Sequence, residues 1–410
     1  MTGWPEARQA ARDAAKPLEA IEVPLPAALG ATLAEPLTAH TPLPAFDTSA
    51  MDGYAVAGRP PWTLVGEVRA GGRWVPVVPR EVNGGADGTT SGGVDPTSAP
   101  GSRTEQPVLP PGRAVAISTG APVPRGADAV LPVERSARVG MTVVGEVRAG
   151  QHIRRAGEDA ERGRELLGAG AVVSAAALGL AAAVGHDVLL VRRRPRVAVV
   201  LTGDEVIRRG TPGVGQVRDA IGPVLPGVLA AAGADLVDVG HVPDRAEPLA
   251  EALLRDDVDV VLVAGATSRG PADHLRAVLA DLGADVRVSG VACRPGHPQL
   301  LAVLPDGRCA VGLPGNPFAA LAACVTLVEP LVGALSGRTP RPTATAELLG
   351  DVVAHPRDTR LVPVVLSGPT ATPVGHDRPG TLWGAALADA LAVVPAGWSG
   401  GTVEVLHMPG

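Results

Sequence analysis

Aromatic residues are nearly missing from this chain: two Phe, one Tyr and five Trp in 410 residues. Its cores must therefore be filled by small aliphatic side chains. Lysine is scarcer still. Lys16 is the only one among 36 basic residues, and the rest are arginine. The formal net charge is −6 and the pI about 5.9, which excludes a general nucleic-acid binder. Cysteine occurs three times, at Cys293, Cys309 and Cys324, with no C-x-x-C pair and with apolar neighbours. That excludes a disulfide framework and predicts reduced, buried thiols in a cytoplasmic protein. The first twenty residues carry Glu6, Arg8, Arg12, Asp13 and Lys16 and no apolar core, so no secretory signal is predicted. The apolar stretch Ala169 to Val184 is short for a membrane span and stops at Gly185-His186-Asp187. It predicts a buried helix and no membrane partner.

The length calls for two to four domains. Residues 4–15 read as a helix stopped before Pro17, and about 26–33 as a second short helix. Around the β-prone stretches Trp62 to Val65 and Arg73 to Val78, residues 51–144 read as a small β domain. Residues 80–107 are Gly-, Pro-, Ser- and Thr-rich, with almost nothing to bury, and read as a flexible insertion. Residues 1–50 and 145–178 form a discontinuous N-terminal domain, in which Ser174 should cap a helix that Gly185 ends. From Arg196 aliphatic strands alternate with helices, which predicts a doubly wound, mostly parallel α/β domain over residues 179–335. Residues 336–410 read as a C-terminal β-barrel.

In a doubly wound sheet ligands bind beyond the strand C-termini. Four loops fall there. Thr202-Gly203-Asp204-Glu205 offers a hydroxyl, a glycine and two acids, suited to holding a phosphate or metal and orienting water; a helix N-cap reads equally from these residues. Gly240 to Asp244 ends in an acid that could cap the next helix. Gly265-Ala-Thr-Ser-Arg-Gly270 leaves backbone N–H groups free for phosphate oxygens, or is a plain turn. Gly312-Leu-Pro-Gly-Asn-Pro317 places Asn316 as N-cap and Pro317 at the first helical position, an anion site by its free N–H groups. Upstream, Pro44-Ala-Phe-Asp-Thr-Ser-Ala-Met-Asp-Gly-Tyr-Ala-Val56 carries Asp47 and Asp52 before Gly53, where chain and carboxylates can approach a ligand closely. A self-bonded turn is the plainer alternative.

The wording is more specific than the spacing. Residues 44–56 closely resemble the signature of molybdopterin molybdenumtransferases, the family that includes the C-terminal part of gephyrin. Its usual form, Phe-Asp-Asn-Ser-Ala-Met-Asp-Gly-Tyr-Ala, differs here only at Thr48. Ile117-Ser-Thr-Gly-Ala-Pro-Val-Pro-Arg-Gly-Ala-Asp-Ala-Val130 resembles a second family motif, and Ala156-Gly-Glu-Asp159 a third. Leu201 to Glu205 and Gly312 to Pro317 match two more, in the same order, over nearly the whole chain.

The resemblance implies four domains, an elongated homodimer, and a site between the doubly wound domain of one chain and the N-terminal domains of the other. It implies that molybdate and adenylylated molybdopterin become molybdenum cofactor, with AMP released and Mg2+ or another divalent cation assisting. Carried over, Asp52, Asp159, Glu205, Asp244 and Asp273 are the catalytic acids, with Asp244 and Asp273 on the metal. Thr119 and Gly120 line the partner side. Thr202, Gly203, Asp204, Ser268, Gly270, Arg294, His297, Pro314, Gly315, Asn316 and Pro317 bind substrate. Partners would be a pterin, a second copy, and a molybdopterin adenylyltransferase or apo-molybdoenzyme. Departures cluster in the nucleotide and pterin half. Ala266 replaces a glycine, Pro271 an acid, His274 a tyrosine and Ile221 an asparagine. The family's Lys-Pro-Gly-Lys-Pro is Arg294-Pro-Gly-His-Pro298. These favour a second reading, a non-catalytic or specialised paralogue that binds pterin, cofactor or a partner protein.

Overall fold

The computed structural model describes residues 1–72, 74–76, 107–265, 267, 274–340 and 342–408. All but Pro107 of the predicted insertion lies outside them. The chain divides into two compact units. One comprises Met1–Leu37, Leu167–Gly179 and Asp187–Gly410, the other Thr38–Leu166 and Leu180–His186.

The first unit is built on a six-stranded sheet. Its order runs Asp235–Val242, Arg196–Thr202, Val260–Ala264, Cys309–Leu313, Leu300–Val303, Asp285–Ser289. The first four strands run parallel, and Leu300–Val303 runs antiparallel to both of its neighbours. Both faces are covered, so the strands read as unbroken aliphatic runs. Alternate side chains serve alternate faces: Val197, Val199 and Leu201 enter one core, Ala198 and Val200 the other. The three cysteines are buried among these groups, and desolvation raises their pKa values to about 12, 11 and 12, so they are poor nucleophiles.

Residues Ala344–Leu348, Thr359–Ser367, Thr370–Pro373, Ala390–Val394 and Gly401–His407 form a closed five-stranded barrel, with Thr359–Ser367 pairing Ala390–Val394 to close it. The two residues Cys293 and Arg294 add a short parallel strand at Thr359 and Arg360.

The largest helical stretch, Pro317–Leu335, is the one helix among the described residues long and apolar enough to cross a membrane, but 83% of its apolar window is buried in the protein. It carries a π turn at Cys324–Val328, where the Glu329 N–H reaches back to the Cys324 carbonyl. The Val325 carbonyl then has no helical donor, because Pro330 follows and has no N–H. Arg8, from the helix Trp4–Asp13, donates Nη1 to that carbonyl. Trp4 Nε1 donates to Thr326 Oγ1 at 3.1 Å, and the Arg8 guanidinium lies 5.1 Å from the Trp4 ring. The first helix thus repairs a defect that a proline creates some 300 residues away. Arg8→Met keeps much of the bulk and orphans the carbonyl. It is expected to cost about 1–3 kcal/mol and to lower the melting temperature by a few degrees in scanning calorimetry; an unchanged melting temperature would mean the carbonyl has another donor.

In the second unit a seven-stranded sheet holds the signature strand Gly53–Val56 between Arg113–Ile117 and Ala129–Pro132. Tyr54, Ala55 and Val56 are buried, and Trp62–Val68 alternates buried and solvent-facing positions.

Two local expectations fail. The helix expected at 26–33 is a 3-10 turn, Leu25–Ala28, followed by the strand Thr32–Leu33, because Gly30 takes φ +76 and reverses the chain. The helix at Ala175–Ala183 is capped by Ser174 and ends at Gly185 as expected, but it is not buried. Ala177, Ala181 and Val184 are covered, while Ala175, Ala176, Gly179, Ala182 and Ala183 are exposed. An all-apolar run of alanines hides which side faces inward.

Candidate functional site

The described residues of all four predicted loops lie at the C-terminal ends of parallel strands that are neighbours in the sheet. Thr202 is 5% exposed and donates Oγ1 to the Ala264 carbonyl at 3.2 Å. The Gly265 N–H donates to the Leu313 carbonyl at 3.2 Å. Gly265 takes φ +107, and a Cβ there would lie 2.6 Å from the Thr202 carbonyl oxygen. A Cβ on Gly315 would lie 3.6 Å from Gly265 Cα, and one on Gly312 2.6 Å from the buried side chain of Thr267. These glycines let the three loops pack closely against one another at the strand ends.

The acids stand on this rim. No helix follows Glu205, so the N-cap alternative for Thr202 to Glu205 is not realised. The chain turns instead into a short strand, Val206–Ile207, paired with Val217–Arg218. Asp244 does not cap either: Arg245 holds the N-cap position of helix Ala246–Leu253 and no side chain bonds there. The Asp244 N–H instead meets Asp204 Oδ1 at 3.4 Å, and His241 Nε2 meets the Gly203 carbonyl at 3.1 Å. The Glu205 and Asp244 carboxylates have no hydrogen-bond or ion-pair partner among the described residues. They remain available to a ligand. Asp219, by contrast, spends Oδ1 on the N–H groups of Ile221 and Gly222. Ile221 belongs to the core, so the departure from the family's asparagine there is a packing residue. Ser268, Gly270 and Asp273, with Ala266 and Pro271, lie outside the described residues.

Pro314, Gly315, Asn316 and Pro317 stand where the sequence puts them, but the helix start is not the free anion site expected. Asn316 has N-cap backbone geometry without a side-chain cap, and the Phe318 N–H is taken by the Pro379 carbonyl at 2.9 Å. Pro317 has no N–H, so the first turn keeps little to offer. Arg294 is likewise committed in part: its Nε donates to Asp358 Oδ2 at 2.7 Å. His297 is exposed on the same loop. Nothing in the sequence pointed to Asp358, which comes from the barrel.

In the second unit Asp52 accepts the Thr119 N–H at 2.6 Å and the Thr119 hydroxyl at 3.0 Å. The backbone donor first, then the hydroxyl, holds this exposed carboxyl below its ordinary pKa. Gly120, at φ +76, donates its N–H to the Ser49 carbonyl at 2.8 Å. Asp52, Thr119 and Gly120 are thus brought together. Asp159 is paired with Arg154. Asp47 accepts the Ala156 N–H at 2.9 Å and Arg155 Nη1 at 2.5 Å, chiefly the former lowering its pKa. The self-bonded-turn alternative holds only for Ser49, whose hydroxyl donates to the Met51 carbonyl at 2.6 Å.

Of the five predicted acids, two are engaged by protein, two on the strand-end rim have no partner among the described residues, and one lies outside the described residues. Among the described residues no three His, Cys, Asp or Glu side chains gather as a ready metal cage.

Known proteins match this arrangement. Residues 3–185 match the MoeA N-terminal region (domains I and II), 198–334 the probable molybdopterin binding domain, and 345–407 the MoeA C-terminal region (domain IV). Molybdopterin molybdenumtransferase 1 of Mycobacterium tuberculosis is 36% identical over 319 residues, covering 76% of this chain and 73% of that protein. The Bacillus subtilis molybdopterin molybdenumtransferase is 30% identical over 395 residues, covering 91% and 86%. The crystal structure of a molybdopterin biosynthesis MoeA protein from Pyrococcus horikoshii superposes over 100% of both chains, with TM-score 0.74 and 27% identity. On this sequence and structural likeness the chain belongs to the molybdopterin molybdenumtransferase family.

Proposed function

We propose that the chain is a transferase that inserts molybdenum from molybdate into molybdopterin, acting on the adenylylated pterin and releasing AMP. The observation that carries this reading is the pair of unpartnered carboxylates, Glu205 and Asp244, on a rim where three loops meet through glycine. An acid with no protein partner is placed to hold a cation or to align an attacking oxygen. Hard carboxylate oxygens suit Mg2+, which keeps several waters and needs only one or two protein carboxylates beside substrate phosphates. Asp244 and Asp273 would hold it, where it would screen the phosphates of the adenylylated pterin, with Asp204 beside them toward substrate. Thr202, Gly203, Ser268, Gly270, Pro314, Gly315, Asn316 and Pro317 would line the pterin and nucleotide, with Arg294 and His297 toward phosphate. Asp52 and Asp159, with Thr119 and Gly120, would complete the site from a second copy, in a four-domain chain divided near residues 51, 145, 179 and 336. A molybdopterin adenylyltransferase, which would supply the substrate, or an apo-molybdoenzyme, which would take the product, is the partner this reaction suggests.

Complementation tests the function. In a cell lacking its molybdenumtransferase, this chain should restore molybdoenzyme activity. Failure despite soluble expression would favour the second reading, a paralogue that binds pterin, cofactor or a partner without turnover. The loss of both family lysines, with Arg294 tied to Asp358, supports that alternative. The dimer is tested separately: light scattering at micromolar concentration should give twice the chain mass of 41.2 kDa, and a stable monomer would overturn it.

A further inference from the structure

The loop that carries Arg294 and His297 differs from a two-lysine loop in more than shape. Two lysines hold their charge throughout the neutral range. Here the charge is conditional. Arg294 Nε donates to Asp358 Oδ2 at 2.7 Å, and the arginine side chain is still 61% exposed, so its outer N–H groups face solvent. An arginine does both with its donors spread over a planar fork, so that one edge holds Asp358 while another faces outward. Asp358 is nearly buried and has a second neighbour. His355 Nδ1 lies 3.2 Å from the same Oδ2. That nitrogen also accepts the N–H groups of Asp358 at 2.9 Å and Arg357 at 3.3 Å, which requires its lone pair and hence a neutral ring; protonation gives up both for the bond to Oδ2. A second proton on the ring turns Nδ1 into a donor facing Oδ2. Burial pushes the Asp358 carboxyl up, but the Arg294 bond and the charges of His355, Arg294 and His297 outweigh it and hold the carboxyl below its ordinary range. The loop itself is fixed. Gly296 takes φ +104, and a Cβ there would lie 3.1 Å from the Ala319 carbonyl.

With both imidazoles neutral, Arg294 and Asp358 cancel. With both protonated, the cluster carries the same net charge as two lysines. We propose that Arg294, His297, His355 and Asp358 form a proton-dependent oxyanion site, in which the loop captures its anionic substrate more tightly as pH falls through the histidine range. This rests on the reading that Arg294 and His297 face the substrate's oxyanions. The sign follows from linkage. A bound dianion stabilises imidazolium and raises its pKa, so the added affinity is present at low pH and is lost as pH rises. The other charges against the loop are Arg357 and Arg360, the latter bonded to Asp377; His376 next to Asp377; and the α-amino group of Met1, whose side chain adjoins Gly290.

Molybdate alone is the probe, since it stays a dianion from about pH 6 to 8 and leaves the protein as the group that titrates. Calorimetric titration of the full-length protein at constant ionic strength should show affinity rising on the order of 10-fold from about pH 8 to 6. His297→Gln with His355→Gln should flatten the profile, which also excludes Met1 and His376 as its source. Asp358→Asn should raise affinity at about pH 8 several-fold, by freeing the Arg294 charge. His297→Lys should make binding tight at both pH values. A flat wild-type profile, or a profile that survives in the double histidine variant, overturns the inference. Wild type that binds at no pH, while Arg294→Lys with His297→Lys binds, overturns it as well. If neither protein binds, the substrate-facing reading of this loop falls and the inference with it.

Discussion

Glu205→Gln is expected to slow molybdenum insertion on the order of 10²–10⁴-fold while ligand affinity falls much less. The substitution keeps size and removes charge. Glu205 is exposed and its carboxylate bonds nothing in the described protein, so its loss should leave the fold intact; only its backbone carbonyl is used, by the Val217 N–H at 2.9 Å. A group that holds a cation or aligns an attacking oxygen acts mainly in the transition state, so kcat should carry the loss. Asp244→Asn and Asp273→Asn should behave alike. Single-turnover assays with adenylylated molybdopterin and molybdate separate the steps. Insertion at the wild-type rate in Glu205→Gln would remove this residue from the catalytic set, and a loss confined to affinity would make it a binding group.

Gly265→Ala should be strongly damaging for a single added methyl. It places a side chain at φ +107 and 2.6 Å from a backbone oxygen, with Thr202 Oγ1 at 2.7 Å. Neither obstacle is the far end of a flexible side chain. Backbone strain and overpacking together should cost on the order of 3–5 kcal/mol. The Thr202 loop would have to shift, and a displacement of about 1 Å at a reacting centre can lower turnover about 10²-fold. Gly315→Ala is the control for stability. It has ordinary φ, and its Cβ would sit 3.6 Å from Gly265 Cα, a normal van der Waals contact. Thermal unfolding should separate the two variants by many degrees. Similar melting temperatures would mean that the meeting of the loops is looser than these distances require.

The legible part of this chain is what repeats locally or is written in short words. Aliphatic strands alternating with helices carried the two-faced sheet, because a strand covered on both sides needs no polar positions. The loops at 202–205, 240–244, 265–270 and 312–317 were placed at strand ends by the same alternation. Resemblance supplied the family, through motifs that keep their order from Phe46 to Pro317. Where local cues were uniform the reading failed. Alanine and leucine give Ala175–Ala183 no polar side, so its exposed face was invisible. Residues 26–33 read as one short helix, although Gly30 reverses the chain in their middle.

Tertiary structure alone decided the state of the functional groups. Glu205, Asp219 and Asp244 look alike as letters, yet Asp219 is spent on its own turn while the Glu205 and Asp244 carboxylates have no partner among the described residues. Asn316 and Pro317 announce a helix start, but Pro379 takes the N–H of Phe318, 61 positions before it, that the anion site needs. Arg294 looks like a lone cation until Asp358 is found beside it, 64 residues on, and Arg8 looks like a surface charge until it meets Val325, 317 residues away. The physical reason is common to all. Element type follows from short-range sterics and hydrophobic period, which a window of sequence contains. Whether a donor or an acid is free depends on which distant atom reaches it first, and that is settled only when the chain has closed on itself.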